Sequence, residues 1–111
     1  MEPKSAFAEV FGDAPMIRLL DFLLDEGRYF DYSLTDVAKH SGVSWSTLHE
    51  IWPKLVKLGI VVQTRQIARA KLFKLNAENP LVKELVGIDL RLSKHFIERE
   101  LQSQKVAIKV R

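Results

Sequence analysis

Ser33-Leu-Thr-Asp-Val-Ala-Lys-His-Ser-Gly-Val-Ser-Trp-Ser-Thr-Leu48 decides how the rest of this chain is read. Ser33 stands three residues before Asp36, a close relative of the capping box, while Tyr32 and Val37 occupy the two positions of a hydrophobic staple. These predict a helix from Leu34 to Ser41. Gly42 permits close packing and a sharp turn, and Val43 supplies the apolar plug that sets the angle to the next helix. Ser44 caps that second helix, which runs through Leu58 and closes at Gly59.

Beyond Gly59 the period changes from helical to extended. Ile60, Val61, Val62 and Thr64 lead to Arg65, and Lys71, Phe73 and Leu75 then alternate with Leu72 and Lys74, which predicts two strands. The turn between them, around Gln66 to Arg69, holds neither glycine nor asparagine, so a loop longer than the tightest two-residue hairpins is expected. Upstream, Ser5 to Phe11 is a short amphipathic piece ending near Gly12. Asp13-Ala-Pro15 reads as a helix start with aspartate as cap and proline in the first turn. Ile17, Leu20, Leu23 and Leu24 form its apolar stripe, and a left-handed Gly27 is expected to end it. Downstream, Asn79 caps and Pro80 opens a last helix, with Leu81, Leu85, Ile88, Leu92 and Phe96 recurring at spacings of three and four, as far as about Gln104.

The chain has 111 residues, 47% hydrophobic content and no cysteine, which fits one domain with a modest core and excludes a disulfide framework. No charged-then-apolar leader and no long uncharged apolar run occurs, so a soluble cytoplasmic protein without a membrane partner is expected. Charge is unevenly spread. Residues 1–40 carry four basic and eight acidic groups, net −4; residues 41–76 carry six basic groups against Glu50 alone, net +5; residues 77–111 come to net +2. A polyanion such as duplex DNA suits the middle block. The plain alternative is a solvated helix and a hairpin whose charges discourage edge-to-edge pairing.

The order of parts from about Ala14 to Asn76 resembles the winged helix-turn-helix domains of prokaryotic transcriptional regulators, broadly of the MarR and ArsR type. Ser33-Leu-Thr-Asp-Val-Ala38, Ser41-Gly-Val-Ser44, Thr47-Leu48, Leu55 and Leu58-Gly-Ile-Val61 carry the resemblance. Arg69-Ala-Lys-Leu-Phe-Lys-Leu-Asn76 ahead of Asn79-Pro80 is similar to small archaeal regulators of this class. The resemblance implies a mainly α fold with a small β-hairpin: a three-helix core plus wing over residues 14–76, then a C-terminal helix over 80–104 that serves dimerisation, all in a single domain 1–111. The implied function is double-stranded DNA binding, with the recognition helix 44–58 in the major groove and the basic wing 61–75 on the backbone or minor groove.

On a helical wheel, Leu48, Ile51, Trp52 and Leu55 share the inward side of the second helix, and Ser46, Glu50, Pro53 and Lys57 oppose them. Because such a helix enters the groove with its N-terminal half, Ser44, Trp45, Ser46 and His49 are the candidates for base or sugar-phosphate contact, and Lys54 reaches a phosphate. Arg65, Arg69 and Lys71 are the wing's candidates. Each has a structural alternative: Ser44 as helix cap only, Trp45 folded onto its own scaffold instead of on a thymine methyl or sugar, His49 merely solvated. The first two turns contain no arginine, the commonest reader of guanine, and Glu50 repels phosphates unless it accepts from cytosine, so low sequence selectivity is expected. Pro53 removes the bond to the His49 carbonyl and is expected to bend the helix.

The last helix, with Phe7, Val10 and Phe11, offers more apolar surface than so small a domain can cover, which predicts a homodimer reading paired half-sites. The opposite expectation is a helix folded back on its own first helix. Catalysis is not expected: His40, His49 and His95 lie in different elements, and no metal-ligand spacing, nucleophile-base pair or phosphate-cradling loop is present. No cofactor is implied, any small-molecule effector is unknown, and ligand control would use a crevice between subunits or helices. The rival reading keeps the fold as a protein-protein interaction module of a transcription or replication complex.

Overall fold

The computed structural model describes residues 4–110. Helix α1 (Ala6–Phe11) is capped by Ser5, whose hydroxyl accepts from the Ala8 amide and donates to both Asp21 oxygens at 2.9 Å, tying α1 to α2 (Pro15–Phe22). The expected Asp13 cap is not formed. Ala14 takes that position in an extended conformation (φ −57°, ψ 153°), the one a following proline favours, and no described side chain caps this end.

The α2 path widens into a π-type turn over Leu23–Gly27. Gly27 is not left-handed, contrary to expectation. Its value lies in close approach, since a Cβ there would stand 2.8 Å from Leu23 Cδ2. The best-buried residues of this segment are Leu19, Leu23 and Leu24, with Ile17 and Leu20 at the margin of the core.

The helix-turn-helix follows its sequence signals closely. Ser33 caps α3 (Leu34–Ser41) by accepting from the Asp36 amide, and Gly42 leaves it left-handed at φ 71°. Ser44 caps α4 (Trp45–Lys57) by accepting from the Thr47 amide. Val43 is buried between the two helices, and α4 runs on as one helix through exposed Pro53. Leu48, Trp52 and Leu55 are buried and Ile51 half-buried, as the helical wheel requires.

Among the described residues the sheet has three strands where two were expected. Tyr32–Ser33 forms β1, Val61–Ile67 β2 and Ala70–Leu75 β3, all antiparallel in the order β1-β3-β2, with Tyr32 opposite Phe73 and Ser33 opposite Leu72. Two residues are too short to show a period of two, so the sequence betrays only their staple and capping roles. The wing tip is also tighter than expected. Pairing continues to Ile67 and Ala70, leaving a two-residue loop in which Ala68 itself adopts φ 54°. Between Gln63 and Arg65 the ladder slips by one residue, making Thr64 a bulge.

One core, built among the described residues from fourteen buried apolar side chains, joins the helices and the sheet, and contains Phe7, Trp52 and Val82. Each large side chain so buried stabilises the fold by about 1.5–3 kcal/mol. Asn79 caps α5 (Pro80–Val110), its Oδ1 accepting from the Leu81 amide while its Nδ2 donates to the carbonyls of Leu58 and Gly59. The helix begins its inward face with Val82, not with the expected Leu81, which is exposed, and it extends beyond the expected end near Gln104. Its 31 residues span about 46 Å. No described helix is long and apolar enough to cross a membrane.

Candidate nucleic-acid interface

All eight side chains proposed from sequence to touch DNA are exposed: Ser44, Trp45, Ser46, His49 and Lys54 on α4, Arg65 on β2, Arg69 in the wing loop and Lys71 on β3. They do not all share one face: Arg65 pairs with Leu72 across the ladder and so lies on the opposite side of the sheet from Lys71, which shares its face with Phe73. Trp45, Arg69 and Lys71 come together in one cleft of about 390 Å³, completed by Ser33, Leu34, Thr35, Ala70 and Phe73. The start of α4 and the returning strand of the wing thus face the same space, with two cations on one wall and an indole on another.

Within α4 the groups are not equally free. The Ser44 hydroxyl accepts from the Thr47 amide and donates to Thr47 Oγ1 at 2.8 Å, so its capping role uses its strongest bonds. Trp45 is 51% exposed and meets the His49 ring edge-on, with centroids 4.2 Å apart and planes at 78°. The two rings fix each other's orientation one helical turn apart. Ser46, Glu50 and Lys54 remain exposed to solvent. Trp52 behaves in the opposite way: it is buried edge-on against Phe73 at 5.3 Å, and its Nε1 has no hydrogen-bond partner among the described residues.

On the wing, Arg65 differs from Arg69 and Lys71. Its Nε donates to Asp31 Oδ2 at 2.9 Å and its Nη2 to Oδ1 at 3.2 Å, while Thr64 Oγ1 donates to the same carboxylate at 2.6 Å. These bonds, Arg65 first, hold the Asp31 carboxyl below the usual carboxylate range. Sequence reasoning named Arg65 and missed Asp31, 34 residues earlier, because nothing local links them. It also missed Arg18, whose Nη1 donates to the Gly42 carbonyl at 3.0 Å and pins the turn between α3 and α4 to α2.

A second cavity, about 510 Å³, opens between α1, α2, α3 and α5 and carries Asp21, Asp25, Glu26 and Asp89 against Arg18 and His40. Burial, reinforced by the charges of Asp21 and Asp25, pushes the Asp89 carboxyl up, and Arg28 opposes this. His40 stacks on Phe22 with ring centroids 5.8 Å apart. Among the described residues no cluster of His, Asp and Glu has the makings of a metal site.

No protein-family model and no curated protein matches this sequence. Among solved structures, the chain is similar to NadR in complex with 4-hydroxyphenylacetate, with a TM-score of 0.60 at 21% identity over 94% of this chain and 74% of that one. It is likewise similar to the PcaV transcriptional regulator from Streptomyces coelicolor, with a TM-score of 0.52 at 22% identity over 87% of this chain and 72% of that one. The helix order, the three-stranded sheet and these superpositions together establish a winged-helix fold.

Proposed function

We propose that this chain is a double-stranded DNA-binding transcriptional regulator that works as a homodimer. The observation that carries the reading is the cleft in which Trp45 at the start of α4 meets Arg69 and Lys71 of the wing. A helix inserted by its N-terminal half into the major groove brings Ser46 and His49 to base edges, and a phosphate strand then runs between α4 and the wing. Arg69 and Lys71 neutralise that strand, and Lys54 meets it further along. Arg65, on the other face of the sheet from Lys71, is paired with Asp31, so its main task is to hold the wing in place.

The dimer reading rests on apolar surface left outside the core. Phe96, Ile97 and Leu101 lie on α5 beyond Leu92, the last among the described side chains of that helix packed against the core, and are exposed. Val10 and Phe11 on α1, which packs against α5, are exposed as well. Phe7, expected in this seam, is instead buried in the monomer's own core. A two-fold dimer covers such a face and sets the spacing of two recognition helices. The cavity of about 510 Å³ carries four carboxylates, Asp21, Asp25, Glu26 and Asp89, among its lining residues.

An anisotropy titration against a random-sequence duplex at two salt concentrations tests the reading. A regulator binds with a steep salt dependence, whereas a module that docks another protein shows little affinity for the duplex.

A further inference from the structure

Building on the DNA-binding reading, we propose that Trp45 reads the 5-methyl group of thymine, so that sequence preference comes from an apolar contact more than from hydrogen bonds to base edges. The polar inventory of the first two turns of α4 motivates this. Ser44 spends its hydroxyl on Thr47, and no arginine or lysine precedes Lys54 on this helix. Ser46, His49 and Glu50 remain as exposed polar readers, and of these only Glu50 carries a fixed charge, one that faces phosphates unfavourably.

The largest exposed group on this half of the helix is the Trp45 indole, at the first helical position after the Ser44 cap. It is not buried, and the His49 ring meets it edge-on at 4.2 Å, a contact that favours this orientation by about 1 kcal/mol. A half-exposed ring at the tip of a groove-entering helix offers an apolar face to the methyl that distinguishes thymine from the other bases in the major groove. A ring with two side-chain torsions, its orientation favoured by His49, also loses less entropy on binding than a long flexible side chain.

The test uses the full chain and a duplex enriched by the wild-type protein from a random pool, then remade with deoxyuridine in place of single thymidines. At one or two positions per half-site, removal of the methyl is expected to weaken wild-type binding about fourfold, the factor for one buried CH2 group. Trp45→Ala should bind the thymidine and deoxyuridine duplexes equally, and Trp45→Phe should retain part of the difference. Equal wild-type affinity for both duplexes overturns the proposal while leaving DNA binding intact. So does a difference that persists unchanged in Trp45→Ala, which assigns the methyl to another side chain. Absence of salt-dependent binding to any duplex overturns this proposal together with the reading beneath it.

Discussion

Arg65 grips Asp31 with two bonds, Nε to Oδ2 at 2.9 Å and Nη2 to Oδ1 at 3.2 Å, and so fastens the bulged strand of the wing to the loop ahead of β1. The Asp31 side chain is only 17% exposed while that of Arg65 is 61% exposed, so the carboxylate forms the sheltered half of the clamp. The one-residue slip at Thr64 is what lets both Thr64 and Arg65 reach the same carboxylate. The clamp therefore anchors the hairpin that carries Arg69 and Lys71 to the loop ahead of β1.

Asp31→Asn is expected to lower the melting temperature, because the carboxylate that holds both Arg65 and Thr64 loses its charge. The pH dependence follows from the sign of the shift. Asp31 titrates below its ordinary value of 3.8, so its contribution is fully present above that value and is lost as pH falls through the depressed one. The gap in melting temperature between wild type and Asp31→Asn should thus be level near neutrality and close in acid. A constant gap down to the most acidic pH at which the protein stays folded would count against the clamp.

Asp89 has the opposite sign. Burial raises its carboxyl above 3.8, so the folded state binds the proton more tightly than the unfolded chain, and stability falls as pH rises through that window. Asp89→Asn is predicted to raise the melting temperature at neutral pH, with the gain vanishing in acid. A drop in stability at neutral pH would show that the attraction to Arg28 outweighs burial.

The two tryptophans should separate cleanly in denaturant melts. Trp52→Ala empties a core site against Phe73 and is expected to cost about 3–5 kcal/mol. Trp45→Ala removes a half-exposed ring whose partner is His49, and is expected to cost about 1 kcal/mol or less. Equal costs would mean that Trp45 is part of the scaffold.

Ile97, 58% exposed on the free part of α5, is the most accessible apolar side chain of the proposed seam. Sedimentation of the wild type at micromolar concentration should give a dimer, and Ile97→Glu should give a folded monomer by placing a charge in the interface. A monomeric wild type removes the dimer.

The helix-turn-helix was legible because its signals are local. Ser33, Gly42, Val43, Ser44 and Gly59 act within one turn of where they stand, and the helix bounds and the buried face of α4 follow from them. What escaped was set by contacts between distant residues. Tyr32–Ser33 becomes a strand because β3 offers it an edge, Asp31 becomes a wing anchor because a bulge delivers Arg65, and Val82 takes the inward place expected of Leu81 because Asn79 is bonded to the end of α4. The tight wing tip was missed for a different reason: Ala68 adopts a backbone conformation that the residue type itself disfavours by about 1 kcal/mol, held there by the strand pairing on either side. At the candidate site, residue exposure was foreseeable from the helical wheel, but the meeting of Trp45 with Arg69 and Lys71 was visible only in three dimensions.

Whether the α4 start and the wing form one duplex-binding surface is decided by the salt dependence of wild type and of the Arg69→Ala, Lys71→Ala double variant on the same duplex. The wild type should show a steep slope of log affinity against log salt. That slope should fall by about 0.9 for each phosphate left without its cation, and hence by about 1.8 in the double variant. A wild type without measurable affinity, or a slope that the double variant leaves unchanged, would refute the shared surface.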